Sequence, residues 1–115
     1  MKNSKTSPRL IRQFFLGFVR IHILHHASEE AVCGVDLSAE LARHGYRLSP
    51  GTLYPILHAL EASGYLRRAI RIEHGRQRKV YTLTRRGEDT LQQARTQLQE
   101  LVEEVMEEGK GHAKK

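Results

Sequence analysis

The apolar seam near the end of the chain is the strongest constraint on its fold. Leu91, Ala94, Leu98, Leu101 and Val105 are spaced 3, 4, 3 and 4 residues apart. That is the a/d repeat of a helix that lays one narrow stripe against another helix. Val102 widens the stripe, and Glu and Gln fill most of the other faces. A helix over residues 86–108 is about 35 Å long at the standard rise. The chain has only 115 residues, and the small domain before this helix cannot cover that length. The seam therefore predicts a partner helix, most simply from a second copy of the chain. The alternative is a single helix docked along its own domain. Size points to the partner, because a chain this short hides only about two-thirds of the surface its unfolded form exposes.

Upstream, the apolar periodicity changes repeatedly. Residues 10–26 hold Leu10, Ile11, Phe14, Phe15, Phe18, Val19, Ile21, Ile23 and Leu24, which predicts a helix apolar over a wide arc and mostly buried. Pro8 suits an early helical position. A second, shorter helix runs from Val35 or Asp36 to Arg43, with Leu37 and Leu41 on one face, Asp36 at its start and Gly45 just past its end. Ser49 then offers a cap hydroxyl and Pro50 a first helical residue. Leu53, Ile56, Leu57 and Leu60 follow at i, i+3, i+4 and i+7 as the core side of a third helix, closed by Ser63 and Gly64. Residues 65–72 and 78–84 alternate like strands, and residues 73–77 connect them through Gly75. The order is helix, helix, helix, strand, strand, helix.

Charge is distributed as unevenly as hydrophobicity. The net charge is +6, but residues 65–87 carry eight positive charges against one negative. Residues 88–108 carry one positive against seven negative. A strongly basic hairpin directly after two closely spaced helices is what a helix-turn-helix with a wing requires. The second of those helices can enter a major groove, and the wing lies over phosphates. A solvated, functionless charge run is the alternative reading of such a segment.

Some classes are excluded or disfavoured. Cys33 is the one cysteine, so the chain cannot form an internal disulfide, and a reducing cytoplasmic location is expected. No apolar run approaches the length of a membrane-spanning helix, and the polar, basic first nine residues do not resemble a secretory signal. No nucleophile with a paired base, no carboxylate pair in an enzyme-like setting and no phosphate-cradling glycine loop is present. The expectation is therefore a non-enzyme without a cofactor.

The run 48–61, Leu-Ser-Pro-Gly-Thr-Leu-Tyr-Pro-Ile-Leu-His-Ala-Leu-Glu, resembles the recognition segment of the PadR family of bacterial regulators. The likeness continues through Gly64-Tyr65-Leu66, through the wing residues Gly75-Arg76-Gln77-Arg78-Lys79-Val80-Tyr81-Thr82-Leu83-Thr84, and through Gly87. It covers roughly residues 10–107. The resemblance implies a mainly α fold with a β-hairpin wing, a winged helix-turn-helix followed by one long C-terminal dimerisation helix. It implies a homodimeric repressor of a palindromic double-stranded DNA operator, released by an effector. Family members that bind planar aromatic compounds between subunits use tryptophans, and this chain has none.

These readings set the following expectations. Residues 1–9 form a flexible basic arm, and the basic start Lys2, Lys5, Arg9 and Arg12 is able to add phosphate contacts. Residues 10–85 form the DNA-binding domain, 86–108 the dimerisation helix and 109–115 a disordered tail. Ser49, Gly51, Thr52, Tyr54, Pro55 and His58 meet DNA from the third helix. Arg76, Gln77, Arg78 and Lys79 meet it from the wing. Tyr81 packs the hairpin against the helices. Leu91, Ala94, Leu98, Leu101, Val102 and Val105 form the dimer seam. Phe14, Phe15 and Phe18 line a candidate pocket for a small-molecule effector. His22 and His26, one helical turn apart, with Cys33 nearby, offer an alternative metal- or thiol-sensing set. The usual zinc spacing is absent, so no metal is assigned to them. The rival functional class is a winged-helix adaptor for protein partners, which would carry an acidic or apolar face on the third helix instead of a basic hairpin beside it.

Overall fold

A computed structural model describes residues 8–107. Lys2 and Lys5 of the expected arm and the whole of the expected tail lie outside the described residues. Helix α1 spans Pro8–Glu29, so Pro8 and Arg9 belong to the helix and not to an arm. A two-residue strand β1 (Val32–Cys33) leads directly into α2 (Gly34–Arg43). Helix α3 spans Pro50–Ala62, strand β2 Leu66–Glu73, strand β3 Arg76–Leu83, and helix α4 Arg85–Val105.

The core is where the apolar faces of three helices meet the hairpin base. Val19, Ile23 and Leu24 of α1 join Leu37 and Leu41 of α2. Leu53, Ile56, Leu57 and Leu60 of α3 form one wall, as their spacing requires, and Leu66 and Tyr81 close it from the sheet. Tyr81 is 2% exposed and packs the hairpin against the helices, as expected. The helix ends also follow the sequence. Gly45 takes φ +92° beyond α2, a left-handed position that glycine occupies without a side-chain clash. Thr84 caps α4, its hydroxyl accepting from the Gly87 amide at 3.0 Å and donating to the Gly64 carbonyl at 2.6 Å. Ser49 differs from expectation. Its side chain makes no cap bond, and its hydroxyl instead lies 3.3 Å from the Thr52 hydroxyl.

The sheet has the order β1-β3-β2 and is antiparallel throughout. Leu66 pairs with Leu83 and the register runs without interruption to Glu73 with Arg76. The connection is therefore two residues long, not the five that the glycine alone suggested. His74 and Gly75 both take positive φ, 51° and 76°, the backbone of a tight hairpin turn whose twist matches the strands. Arg76 and Gln77 thereby stand in a strand and not in a loop.

Two expectations about the helices change. The first half of α1 is not buried: Leu10, Ile11, Phe14 and Phe18 are each about half exposed. In α4 the seam divides. Leu91 is 2% exposed and belongs to its own domain's core, whereas Leu101, Val102 and Val105 face outward. Helix α4 packs on α1, and its outer end carries Leu101, Val102 and Val105 exposed. The molecule measures 60 × 33 × 24 Å with a radius of gyration of 17.0 Å, against about 13 Å for a compact domain of this length.

Candidate nucleic-acid interface

Helix α3 separates cleanly into two faces. Leu53, Ile56, Leu57 and Leu60 are buried, so Gly51, Pro55, His58, Ala59 and Ala62 point outward, with Thr52 and Tyr54 on the flanks. The turn from His44 to Ser49 holds α3 against α2 in a helix-turn-helix. The outward face is smooth and mostly apolar. Its polar groups are few: the Ser49 and Thr52 hydroxyls, the Tyr54 phenol and the His58 ring. Small apolar groups there suit thymine methyl contacts, and the hydroxyls and imidazole suit base edges or phosphates. Ala59 joins this face without having been anticipated. The signal was present, since it falls two turns after Thr52 on the side opposite the leucines.

Tyr54 has a divided role. Its ring lies across Gly34, in the space that a side chain at position 34 would occupy. Its ring also stands 6.4 Å from that of His58, one turn further along α3. Half-buried in this way, Tyr54 braces α3 against the start of α2. Its hydroxyl makes no hydrogen bond among the described residues.

Between α3 and the wing lies an open cleft lined by Tyr54, His58, Gln77, Arg78, Lys79 and Tyr81, with Cys33, Gly34 and Val35 at its back. The structure thus brings part of the α3 set and most of the wing set to one side of the molecule. The wing cations are not equivalent. The Arg78 guanidinium lies 3.6 Å from Asp36 and 3.8 Å from Glu73, and donates to the Cys33 sulfur at 3.3 Å. It ties the hairpin to α2. Arg68 and Arg71 are paired with Glu61 and Glu73. Arg76, Lys79 and Arg67 are exposed and make no ion pair among the described residues. Arg67 stands at the base of the hairpin opposite Thr82, away from Arg76 near the turn. Arg47, in the turn before α3, is likewise exposed.

The aromatic trio of α1 is split. Phe14 and Phe18 share a groove with Gly17 and Ile21 of α1 and with Ala94, Leu98 and Leu101 of α4. Phe15 points away and packs on Tyr46, ring centroids 5.2 Å apart. The helical step from 14 to 15 turns the side chain by about 100°, so the three cannot line one pocket within a chain. The sequence-based metal and thiol set is also rearranged. Cys33 is buried at the start of α2 with Arg78 on its sulfur. His22 and His26 meet the His44 ring instead.

Among the described residues, no helix is long and apolar enough to cross a membrane. Comparison with known proteins gives a consistent result. Residues 23–93 match the family described as "Transcriptional regulator PadR-like family". The transcriptional regulator Rv3488 of Mycobacterium tuberculosis is 51% identical over 96 residues, which cover 84% of this chain and 90% of that protein. A PadR-like transcriptional regulator from Bacillus cereus superimposes with a TM-score of 0.78 at 27% identity, covering 83% of this chain and 94% of that one. A PadR family transcriptional regulator from Eggerthella lenta gives 0.76 at 25% identity, covering 93% and 95%.

Proposed function

The chain belongs to the PadR-like family of transcriptional regulators, and on that premise we propose that it is a homodimeric, DNA-binding repressor in the cytoplasm, released from a palindromic operator by an effector. The observation that carries this reading is the pairing of a smooth outward α3 face with exposed, unpaired cations on the adjoining wing. A helix of that kind fits the major groove, and Arg76 and Lys79 reach flanking phosphates or the minor groove from the hairpin. Thr52 and His58 are the polar readers of base edges, Pro55 and Ala59 supply apolar contact, and Ser49, Gly51 and the Tyr54 hydroxyl approach the phosphate backbone. Gln77 adds a neutral donor beside Lys79. Arg78 acts one step back, holding the wing at its angle to α2 through Asp36.

The dimer reading is supported by the exposed apolar residues of two elements. Leu101, Val102 and Val105 on α4 and Phe14 and Phe18 on α1 are too many and too contiguous to stand in water in a small domain. A second copy placed on them buries both sets around a two-fold axis. The groove between Phe14, Phe18 and Leu98 then adjoins that axis and is the candidate effector pocket, without Phe15. The acidic charge on the rest of α4 keeps that helix clear of DNA.

The test is a salt-dependent binding assay on the promoter region upstream of the protein's own gene, with the bound segment mapped by footprinting. The expected result is protection of two half-sites about one helical turn apart, with affinity falling steeply as salt rises. Equal, weak binding to every sequence sinks the operator-specific repressor. An adaptor would show no DNA binding at all.

A further inference from the structure

Away from the α3 face and the wing, three imidazoles from two elements converge. His22 and His26 stand one turn apart on α1, and His44 ends α2. One nitrogen from each ring lies within 4.8 Å of the other two. The His44 ring centroid is 5.0 Å from that of His22 and 5.8 Å from that of His26, with the planes within 30° of parallel. Two features are hard to explain by packing alone. His26 Nε2 is shut off from solvent and has no hydrogen-bond partner among the described residues, and a native fold rarely leaves such an atom unsatisfied without a reason. Glu40 Oε2 lies 3.4 Å from His44 Nε2, the carboxylate-on-imidazole arrangement that fixes the orientation of a metal-bound histidine through its other nitrogen.

We propose that His22, His26 and His44 bind a divalent transition-metal ion of the zinc type, joining α1 to the end of α2. The donor set is chemically apt, since three neutral imidazoles with an open fourth position suit zinc and its first-row neighbours. Burial lowers the pKa of both His22 and His26, which keeps their lone pairs free of protons at neutral pH. Nitrogens on a tetrahedral zinc, at bonds of about 2.0–2.1 Å, sit roughly 3.3 Å apart. The present separations, within 4.8 Å, close to that by side-chain rotation of the three rings, His44 being exposed. Cys33, which sequence spacing grouped with the histidines, is not part of the site, because it sits at the start of α2 and His44 at the end.

The position gives the ion something to do. Helix α1 carries Phe14 and Phe18, and α2 is the first half of the helix-turn-helix. An ion bridging the two couples the proposed dimer face to the reading head. That consequence rests on the regulator reading, but the site itself does not.

The experiment titrates the chelator-treated full-length chain with Co²⁺, following the visible bands of four-coordinate cobalt, and with Zn²⁺ by calorimetry. One ion per chain is expected, with zinc displacing cobalt. His44→Ala abolishes both signals while its circular dichroism and unfolding temperature stay near the parent's, because His44 is exposed. Glu40→Gln weakens affinity by about tenfold or more. His112→Ala, outside the described residues, changes nothing. Absence of both cobalt bands and zinc heat overturns the site, and so does binding that survives His44→Ala. Operator binding measured on the same samples separates the two readings. Metal without DNA binding removes the repressor alone, and DNA binding without metal removes this site alone.

Discussion

The ring of Tyr54 lies across the α-carbon of Gly34, so that the third helix of the domain rests on a residue with no side chain. The contact sets how closely α3 approaches the start of α2. Gly34→Ala places a methyl group inside the ring's volume. It is expected to destabilise the domain by about 1–3 kcal/mol, the usual range for overpacking a tight contact. Thermal unfolding measures this. Tyr54→Leu, which removes the aromatic ring, restores most of the loss in the double variant. Equal melting of Gly34→Ala and the parent protein would show that the contact yields freely.

The wing cations divide into anchors and proposed DNA contacts, and salt dependence distinguishes them. Arg76→Ala and Lys79→Ala are each expected to reduce the slope of log affinity against log salt by about one. Stability is unchanged in both. Arg78→Ala lowers stability by about 0–1 kcal/mol, because its partners Asp36 and Glu73 are substantially exposed. It leaves the salt slope near the parent's. A full unit of slope lost with Arg78→Ala would move that residue from the anchor to the DNA surface.

Position along α4 separates folding from assembly. Leu91→Ala removes a core side chain and is expected to cost about 2–5 kcal/mol in the unfolding of each subunit. Leu101→Glu and Val105→Glu leave the subunit folded but put charges on the proposed seam. Analytical ultracentrifugation is expected to show monomers for these two variants and dimers for the parent. Dimers that persist with both glutamates present would place the interface elsewhere.

Acid should loosen the metal-free protein through the first helix. Burial is the main cause that lowers the pKa of His22, with His44, His26 and His25 adding repulsion. For His26, burial again leads, opposed by Glu40 and Glu29. The unfolded chain therefore binds protons that the folded chain resists. The contribution is fully present above the ordinary histidine value of about 6.5 and is lost as pH falls through it toward the lowered folded values. Urea midpoints compared at neutral pH and one to two units below it are expected to fall, and His22→Gln should flatten the change. A midpoint that rises on acidification contradicts the burial of these rings.

How much of this was legible in the sequence depended on how local the signal was. The leucine stripe of α3, Pro50 at its start, Gly45 beyond α2 and the alternation of the hairpin are local patterns, and each produced the expected element. Strand β1 was invisible because two residues carry no periodicity. Val32 and Cys33 form a strand only because Tyr81 and Val80 lie alongside. The turn was misjudged because nothing local says that His74 adopts positive φ. Phe15 was grouped with Phe14 by sequence and separated from it by the helical step. His44 does not suggest itself as a companion of His22, because twenty-one intervening residues must fold before the rings meet. The seam is visible as a repeat along one helix, yet a repeat does not say which of its members the parent domain takes. Leu91 goes inward and Leu101 outward.

That division leaves α4 held in the core at Leu91 and exposed at its far end. From the clamped Leu91 to Val105 is fourteen residues, about 21 Å of helix. A tilt of ten degrees at the clamp carries the far end through about 3.7 Å, close to the 3.4 Å rise of one base pair. In the dimer proposed above, small changes of packing beside Phe18 and Leu98 would be magnified in this way into a mismatch of one rung between its two half-sites.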